Sequence, residues 1–561
     1  MKNQSPSIYT RFWNLLRPDR DEIRNVYIFA LLSGILSLGL PLGIQMIINF
    51  IQLGQMSASW FVLVCLVVVA IGFSGILNIY QLRITELLQQ RIFTRTAFEF
   101  SERFPKINSL ELANRYAPDL SNRFFDFVSI QKGISKLLID FTAATLQIIF
   151  GLLILSFYHS FFIFIGLLLL VLLLTIIKIT GKRGIQTSLE ESNYKYKVAH
   201  WIQEIARTRV SFKMGGNDKL HLNQTNSYVN LYLNARDNHF KILVQQYGFL
   251  IAFKVIIALT ILIVGGLLVI NEQMNIGQFV AAEIIILLVL SSVEKLILSV
   301  EVVYDVLTSI EKIGQVTDLP LEDFNNEYFT ENKTGKMDVN FKHVSFAKEG
   351  MHYKLLDSFS LHIKPHEKLC IVSDSSVSSN VFFGLLTLMY KVNEGTISID
   401  GIPMNNLNAS SLRQRIGTVI KQDKLIFASI YDNIDFGRNT PLNEIVSLCE
   451  QFKLTEFIES CEDKYETILN PEGHFIPADV YFKLLLIRSL ISKPTLLLLE
   501  NPDSGLSHNQ QDTIIDGLKS IKSTIIMATH NTHFHALSDR IIQLDHGKIT
   551  FEGTYESYSK H

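Results

Sequence analysis

Ser160 to Thr180 reads S-F-F-I-F-I-G-L-L-L-L-V-L-L-L-T-I-I-K-I-T, an apolar run whose only charge is Lys178. About 20 such residues cover the hydrocarbon core of a bilayer as a helix, and only a structure that bonds its own backbone is tolerated there. This stretch therefore predicts a membrane span. Working outward, five more segments of the same kind lie near 25–50, 59–80, 137–157, 247–270 and 276–300. With 561 residues, 48% hydrophobic and 19% charged, the chain is too long for one domain and too apolar to be wholly soluble.

The connectors alternate in length. The short ones (51–57, 158–160 and 271–275) contain no Lys or Arg, whereas 81–136 and 182–246 carry Arg91, Arg95, Arg103, Lys106, Lys182, Arg183, Arg207, Arg209 and Lys213. The positive-inside rule places both long connectors and both termini in the cytoplasm, as expected of a multi-pass protein of the cytoplasmic (inner) membrane. The long connectors keep helical periodicity with few breakers, among them Pro105, Pro118, Gly215 and Gly216, so they read as cytosolic extensions of the spanning helices. Residues 1–24 set Tyr9, Phe12, Trp13 and Leu16 against Arg11, Arg17 and Arg20. This is the pattern of an amphipathic elbow helix on the membrane surface, not of a secretory signal.

A net charge of −2 without a dense basic run excludes a nucleic-acid binder. Cys65, Cys370, Cys449 and Cys461 have neither paired metal-ligand spacing nor the density of a disulfide scaffold, which suits a reducing cytosol. Inside the spans, Lys254, Glu283 and Glu294 are expensive and need partners or a cavity. Glu283 and Glu294 share a helix face, and Lys254 and Glu294 lie at similar depth. An ion pair between those two is expected, which leaves Glu283 facing a cavity. Asp140 is close enough to a boundary to snorkel.

Residues 25–318 thus form the membrane domain and 319–336 (L-P-L-E-D-F-N-N-E-Y-F-T-E-N-K-T-G-K) a polar linker. From 337 to 561, short β-branched runs alternate with helical patterns, which predicts a soluble α/β domain. There Ser373 to Asn380, S-D-S-S-V-S-S-N, follows the strand-like L-C-I-V where a phosphate-binding loop belongs. Such a loop reads G-x-x-x-x-G-K-[ST]: glycines let backbone N–H groups close on phosphate, the Lys neutralises it, and the hydroxyl serves Mg²⁺. Here Ser373, Ser376 and Ser378 stand for glycines, Ser379 for the lysine and Asn380 for the hydroxyl residue. Serine disfavours positive φ, and Asp374 adds a charge that repels phosphate.

Six spans with long helical extensions, followed by this domain, resemble a half-transporter of the ABC exporter family. Ordered landmarks carry the resemblance: Val344-Ser345-Phe346, the turn at Ser373, G-T-I-S-I-D-G (Gly395 to Gly401), Ser411-Leu412-Arg413, and Gln422 in I-G-T-V-I-K-Q-D. Phe427 to Ile430, Asn433-Ile434, Arg488-Ser489-Leu490, Leu496 to Leu499, and His530 in M-A-T-H follow. The resemblance implies six spanning helices, a P-loop NTPase-like α/β domain, ATP and Mg²⁺ as cofactors, and obligate dimers. The dimer would be a homodimer or a heterodimer with another half-transporter, in a lipid membrane. It also implies coupling helices near Ser109 to Arg123 and Gln203 to Lys213.

Carried over by position, the adenine-stacking aromatic falls on Lys348, with Tyr353 nearby. The segment that caps ATP on the opposing subunit falls on Ile476, Pro477, Ala478, Asp479 and Val480. Pro477 removes an N–H donor and Asp479 places negative charge against phosphate. The Mg²⁺-binding Asp and the catalytic Glu fall on Glu500 and Asn501. Glu500 can hold a metal through oxygen, whereas Asn501 cannot take a proton from water. Gln422 and His530 keep their family identities. The expected function is a half-exporter of unidentified substrate, its own ATP hydrolysis absent or very weak, dependent on a partner for nucleotide binding. The alternative is an ATP-independent membrane scaffold or sensor on the same frame.

Overall fold

The computed structural model describes residues 6–52, 58–112, 115–215, 219–322, 337–348, 353–373, 376–471 and 476–560; most of the expected linker, 323–336, lies outside them. The chain divides into two compact units, Met1–Lys106 with Arg115–Leu319, and Ile107–Asn114 with Pro320–His561.

Among the described residues, the first unit holds six helical segments long and apolar enough to cross a membrane. Ala58–Arg103, Phe161–Arg207, Leu220–Thr260 and Ile276–Thr317 run 46, 47, 41 and 42 residues. At 1.5 Å per residue each is about 60–70 Å long, roughly twice the hydrocarbon thickness of a bilayer. The expected extensions are therefore continuous helix. Outward-facing Val62, Leu66 and Val69 are exposed, as suits side chains that meet lipid. Helices approach closely at small residues. A Cβ on Gly133 would lie 2.2 Å from Val306, and one on Gly184 would lie 2.3 Å from the Tyr304 ring.

The helices depart from the expected pattern in several places. The first span is two helices, Arg20–Ser37 and Gly39–Gln52, parted at Leu38, whose N–H bonds the Ile35 and Leu36 carbonyls. Pro41 lacks the N–H that residue 37 would accept, and Gly39 weakens the helix beside it. At the N-terminus, the first helix is Ile8–Leu16 and a 3-10 turn, Arg17–Asp19, leads directly into Arg20–Ser37. The spanning helix thus begins inside the range expected for the elbow. π-helical turns at Leu137–Phe141 and Ile261–Gly265 interrupt the third and fifth spans.

The second unit contains β1 (Val339–Phe346), β2 (Leu356–Ile363), β3 (Lys368–Ser373), β4 (Glu394–Ile399), β5 (Ile402–Pro403), β6 (Ile416–Val419), β7 (Ala428–Ser429), β8 (Ile468–Leu469), β9 (Leu496–Glu500), β10 (Thr524–Ala528), β11 (Arg540–Asp545) and β12 (Lys548–Gly553). The main sheet has the order β12-β11-β3-β10-β9-β6, parallel except for β12. A smaller antiparallel sheet has the order β2-β1-β4-β5. Leu496 to Leu499 are fully buried, as a central parallel strand covered on both faces requires. Ile107–Asn114 packs with this unit: Ile107 bridges Leu321, and the Asn108 N–H donates to the Pro320 carbonyl at 3.0 Å. The expected coupling segments contain the short helices Ser109–Leu112 and Arg209–Met214.

Candidate functional site

Parallel pairing aligns the carboxyl ends of β3, β10 and β9, with Ile371 opposite Ala528 and Ala528 opposite Glu500. Open parallel sheets place ligand crevices at such ends. Ser373, Glu500 and His530 meet here because each closes, or directly follows, one of these strands.

Ser373 ends β3 and is buried. The loop then passes Asp374 and Ser375, which lie outside the described residues, into the helix Ser376–Leu386, whose first turn contains Ser378. Ser379 is buried, and the amide oxygen of Asn380 is buried without a hydrogen-bond partner among the described residues. His530 Nε2 donates to the Ser373 carbonyl at 2.9 Å, which fixes the imidazole against the start of the loop. Beside Ser373 opens a cavity of about 550 Å³, walled by Tyr353, Leu355, Leu544, His546 and Lys548. Tyr353 stands at this wall, while Lys348 is exposed beyond β1.

Glu500, buried at the end of β9, accepts the Lys421 N–H at 2.8 Å and so holds the turn that carries the exposed Gln422. Asn501 has φ of +45°, a region asparagine tolerates, and its N–H donates to the Ala528 carbonyl at 2.8 Å. Asp503 accepts the Thr529 hydroxyl at 2.6 Å and ties the segment after β9 to the segment after β10. Burial raises the Asp423 carboxyl above the ordinary range, and Asp423 accepts the Ile420 N–H at 2.9 Å. No group of three or more His, Cys, Asp or Glu side chains able to hold a metal occurs among the described residues.

The segment Ile476 to Val480 opens the helix Ala478–Ile491, with Pro477 as N-cap; Ile476 and Val480 turn into the apolar core. Asp479 occupies the first turn, where a carboxylate favours the helix dipole, and pairs with Lys483 one turn on at 3.2 Å. Lys483, nearly buried, also donates to the Lys453 carbonyl at 3.3 Å. The entrance to this helix is thus occupied by a closed ion pair within the chain. Gly505, with φ of +75°, packs onto it so tightly that a Cβ there would lie 2.6 Å from that of Ala478.

Sequence reasoning missed Lys483, although its i,i+4 spacing from Asp479 was a usable signal. It took Arg488 only as a landmark, whereas the guanidinium binds the Asn433 carbonyl (2.6 Å), the Asn433 amide oxygen (2.9 Å) and the Lys424 carbonyl (2.8 Å), and lies over Phe436. Arg488 thereby ties the segment following Gln422 to the helix that begins at Ala478. Within the spans, Lys254 and Glu294 form an ion pair, and the Tyr247 hydroxyl donates to the other Glu294 oxygen at 3.1 Å. Glu283 is half-buried on the same helix as Glu294.

No protein-family model matches the chain. Among curated proteins, it is 26% identical over 246 residues to an uncharacterized ABC transporter ATP-binding protein, YfiB, of Bacillus subtilis, covering 44% of this chain and 43% of the relative. It is 26% identical over 297 residues to the alpha-hemolysin translocation ATP-binding protein HlyB of Escherichia coli O157:H7, covering 52% and 42%. It is also 26% identical over 301 residues to the lactococcin-A transport/processing ATP-binding protein LcnC of Lactococcus lactis, covering 53% and 42%. The chain thus spans less than half the length of these curated relatives. A solved structure of a bacterial Atm1-family ABC exporter with ATP bound superposes with a TM-score of 0.82 at 18% identity, covering 96% of both chains. The fold is that of an ABC exporter half-transporter, six apolar helices followed by a sheet-containing domain.

Proposed function

We propose that this chain is one half of an ABC-type exporter of the cytoplasmic membrane, with both termini cytoplasmic, acting in a homodimer or a heterodimer on an unidentified substrate. We further propose that its own nucleotide site is degraded. The observation that supports this reading is the stretch from Ser373 to Asn380, which runs from the end of β3 into the helix Ser376–Leu386 and contains no Lys or Arg. The nearby ammoniums are engaged: Lys354 by Asp357 and Glu394, and Lys548 by Asp357. For Mg²⁺, Asn380 and Glu500 offer oxygens at the ends of these strands, and one Glu500 oxygen accepts the Lys421 N–H. This set does not fit a triphosphate with its metal, so no hydrolytic step is drawn through it.

A head-to-tail pair of identical chains would lack the loop lysine and the capping segment at both sites. A consensus partner would supply its own P-loop but face Pro477 and the Asp479–Lys483 pair. Nucleotide can drive closure only as far as it binds the closed pair more tightly than the open one, so either pairing gives a weak drive. The closed ion pair also favours a second reading, a scaffold or sensor that keeps the frame without transport.

The test uses full-length protein in nanodiscs, alone and co-expressed with a consensus half-transporter. Nucleotide binding and vanadate-sensitive turnover are measured. The lone chain is expected to show neither, and turnover is expected only in the mixed dimer. Absence of turnover in every pairing supports the scaffold reading. Tight, magnesium-dependent ATP binding by the lone chain, crosslinked to residues 373–380, overturns the degraded site.

A further inference from the structure

The N-terminal segment borders a second cavity, of about 550 Å³, within the range of small-molecule sites. Leu16 and Ile23 form one wall and Leu138 and Phe141 another. Leu138 and Phe141 belong to the π-helical turn of the third span, where the wider turn displaces side chains from an ordinary helical face. Trp13 and Tyr27, 67% and 49% exposed, line the same cleft, and these are the residue types that anchor at a membrane interface.

The charges around the cleft are unequal. Arg11 is held by Glu311 and Asp318, and Arg24 by Asp21 at 3.3 Å. Asp19 and Glu22 are already engaged by Arg91 and Arg95. Arg17 and Arg20 are exposed, line the cleft, and have no carboxylate partner among the described residues. The result is an apolar slot at the cytoplasmic end of the spans with two unneutralised guanidiniums at its wall, a geometry suited to phosphate oxygens.

We propose that this cleft binds an anionic phospholipid of the cytoplasmic leaflet, with an acyl chain between Leu16, Ile23, Leu138 and Phe141 and the headgroup phosphate on Arg17 and Arg20. A zwitterionic lipid offers the same phosphate but cancels its charge with an ammonium, so the site discriminates by net charge. Free phosphate lacks the chain that fills the apolar walls.

The test titrates full-length protein in neutral detergent with phosphatidylglycerol, phosphatidylcholine and inorganic phosphate and follows the melting temperature, since a ligand that binds the folded state raises it. Phosphatidylglycerol is expected to give a saturable rise, and the other two little or none. Arg17→Gln with Arg20→Gln lowers the apparent affinity at least about fivefold per arginine. Leu138→Trp fills the slot with both charges intact and also removes the rise. Should either variant fail to fold, quenching of Trp13 by brominated phosphatidylglycerol in the unaltered protein, lost in Trp13→Phe, reads the same site. Equal rises with phosphatidylcholine, a rise with phosphate alone, or quenching unchanged in Trp13→Phe would overturn the proposal.

Discussion

His535 is buried with Nε2–H on the Thr529 carbonyl at 3.1 Å and Nδ1 without a hydrogen-bond partner among the described residues. Burial holds its pKa below the ordinary value, so on acidification the unfolded chain takes up the proton first. Stability therefore falls as pH drops below about 6.5, and His535→Phe is expected to flatten that slope in thermal melts between pH 5 and 7. Burial also pushes the Cys370 thiol up to about 12 and that of Cys449 up to about 11. Both are expected to resist maleimide at pH 8 and to react only on unfolding, as mass spectrometry of labelled peptides will show. Lys483→Met leaves the Asp479 carboxylate and the Lys453 carbonyl unmatched, at an expected cost of about 1–3 kcal/mol in chemical denaturation. Asp479→Asn in the same chain should restore part of it. The identities at this site were legible in the sequence, since the missing lysine and glycines are read directly from Ser373 to Asn380. The internal use of the remaining polar groups was not, because the His530–Ser373 and Arg488–Asn433 contacts join residues far apart in the chain.

The spanning helices were legible as elements because a 20-residue apolar run has few alternatives in a chain with polar, lysine- and arginine-bearing connectors. Their interruptions were not, although Gly39-Leu40-Pro41 was a breaker signal within the first apolar run. The π turns at 137–141 and 261–265 left no sequence mark that periodicity detects. The N-terminal helix Ile8–Leu16 is tied down by a charged residue as well as by its apolar face. Arg11, mostly buried, reaches Glu311 on the last helix of its unit and Asp318 at the C-cap of that helix, and Gly314 leaves the room for it. A Cβ at 314 would stand 2.7 Å from the Arg11 guanidinium carbon. Gly314→Leu is therefore expected to release this helix, with faster tryptic cleavage after Arg11 and Arg20 while the spans stay protected; Pro18 blocks cleavage after Arg17.

For the whole molecule, composition and connector asymmetry already separated a membrane unit from a sheet-containing one. The boundary was less legible, because contiguity in the chain suggested a single junction after residue 318. Differentially tagged copies expressed together are expected to co-purify if the chain self-associates, and the tagged copy is recovered alone if it requires a different partner. The second unit is assembled from two separated pieces of chain, Ile107–Asn114 and Pro320–His561. A fragment started at Pro320 would consequently be missing a component: the backbone edge at Pro320 and Leu321 would lose its bridge to Ile107 and the Asn108 N–H, and Ile107, 2% exposed in the intact chain, would leave its seat vacant. Biophysical work on the isolated sheet-containing half would then report on an incomplete body, and an eight-residue peptide spanning 107–114, added in trans, is the natural complement to supply.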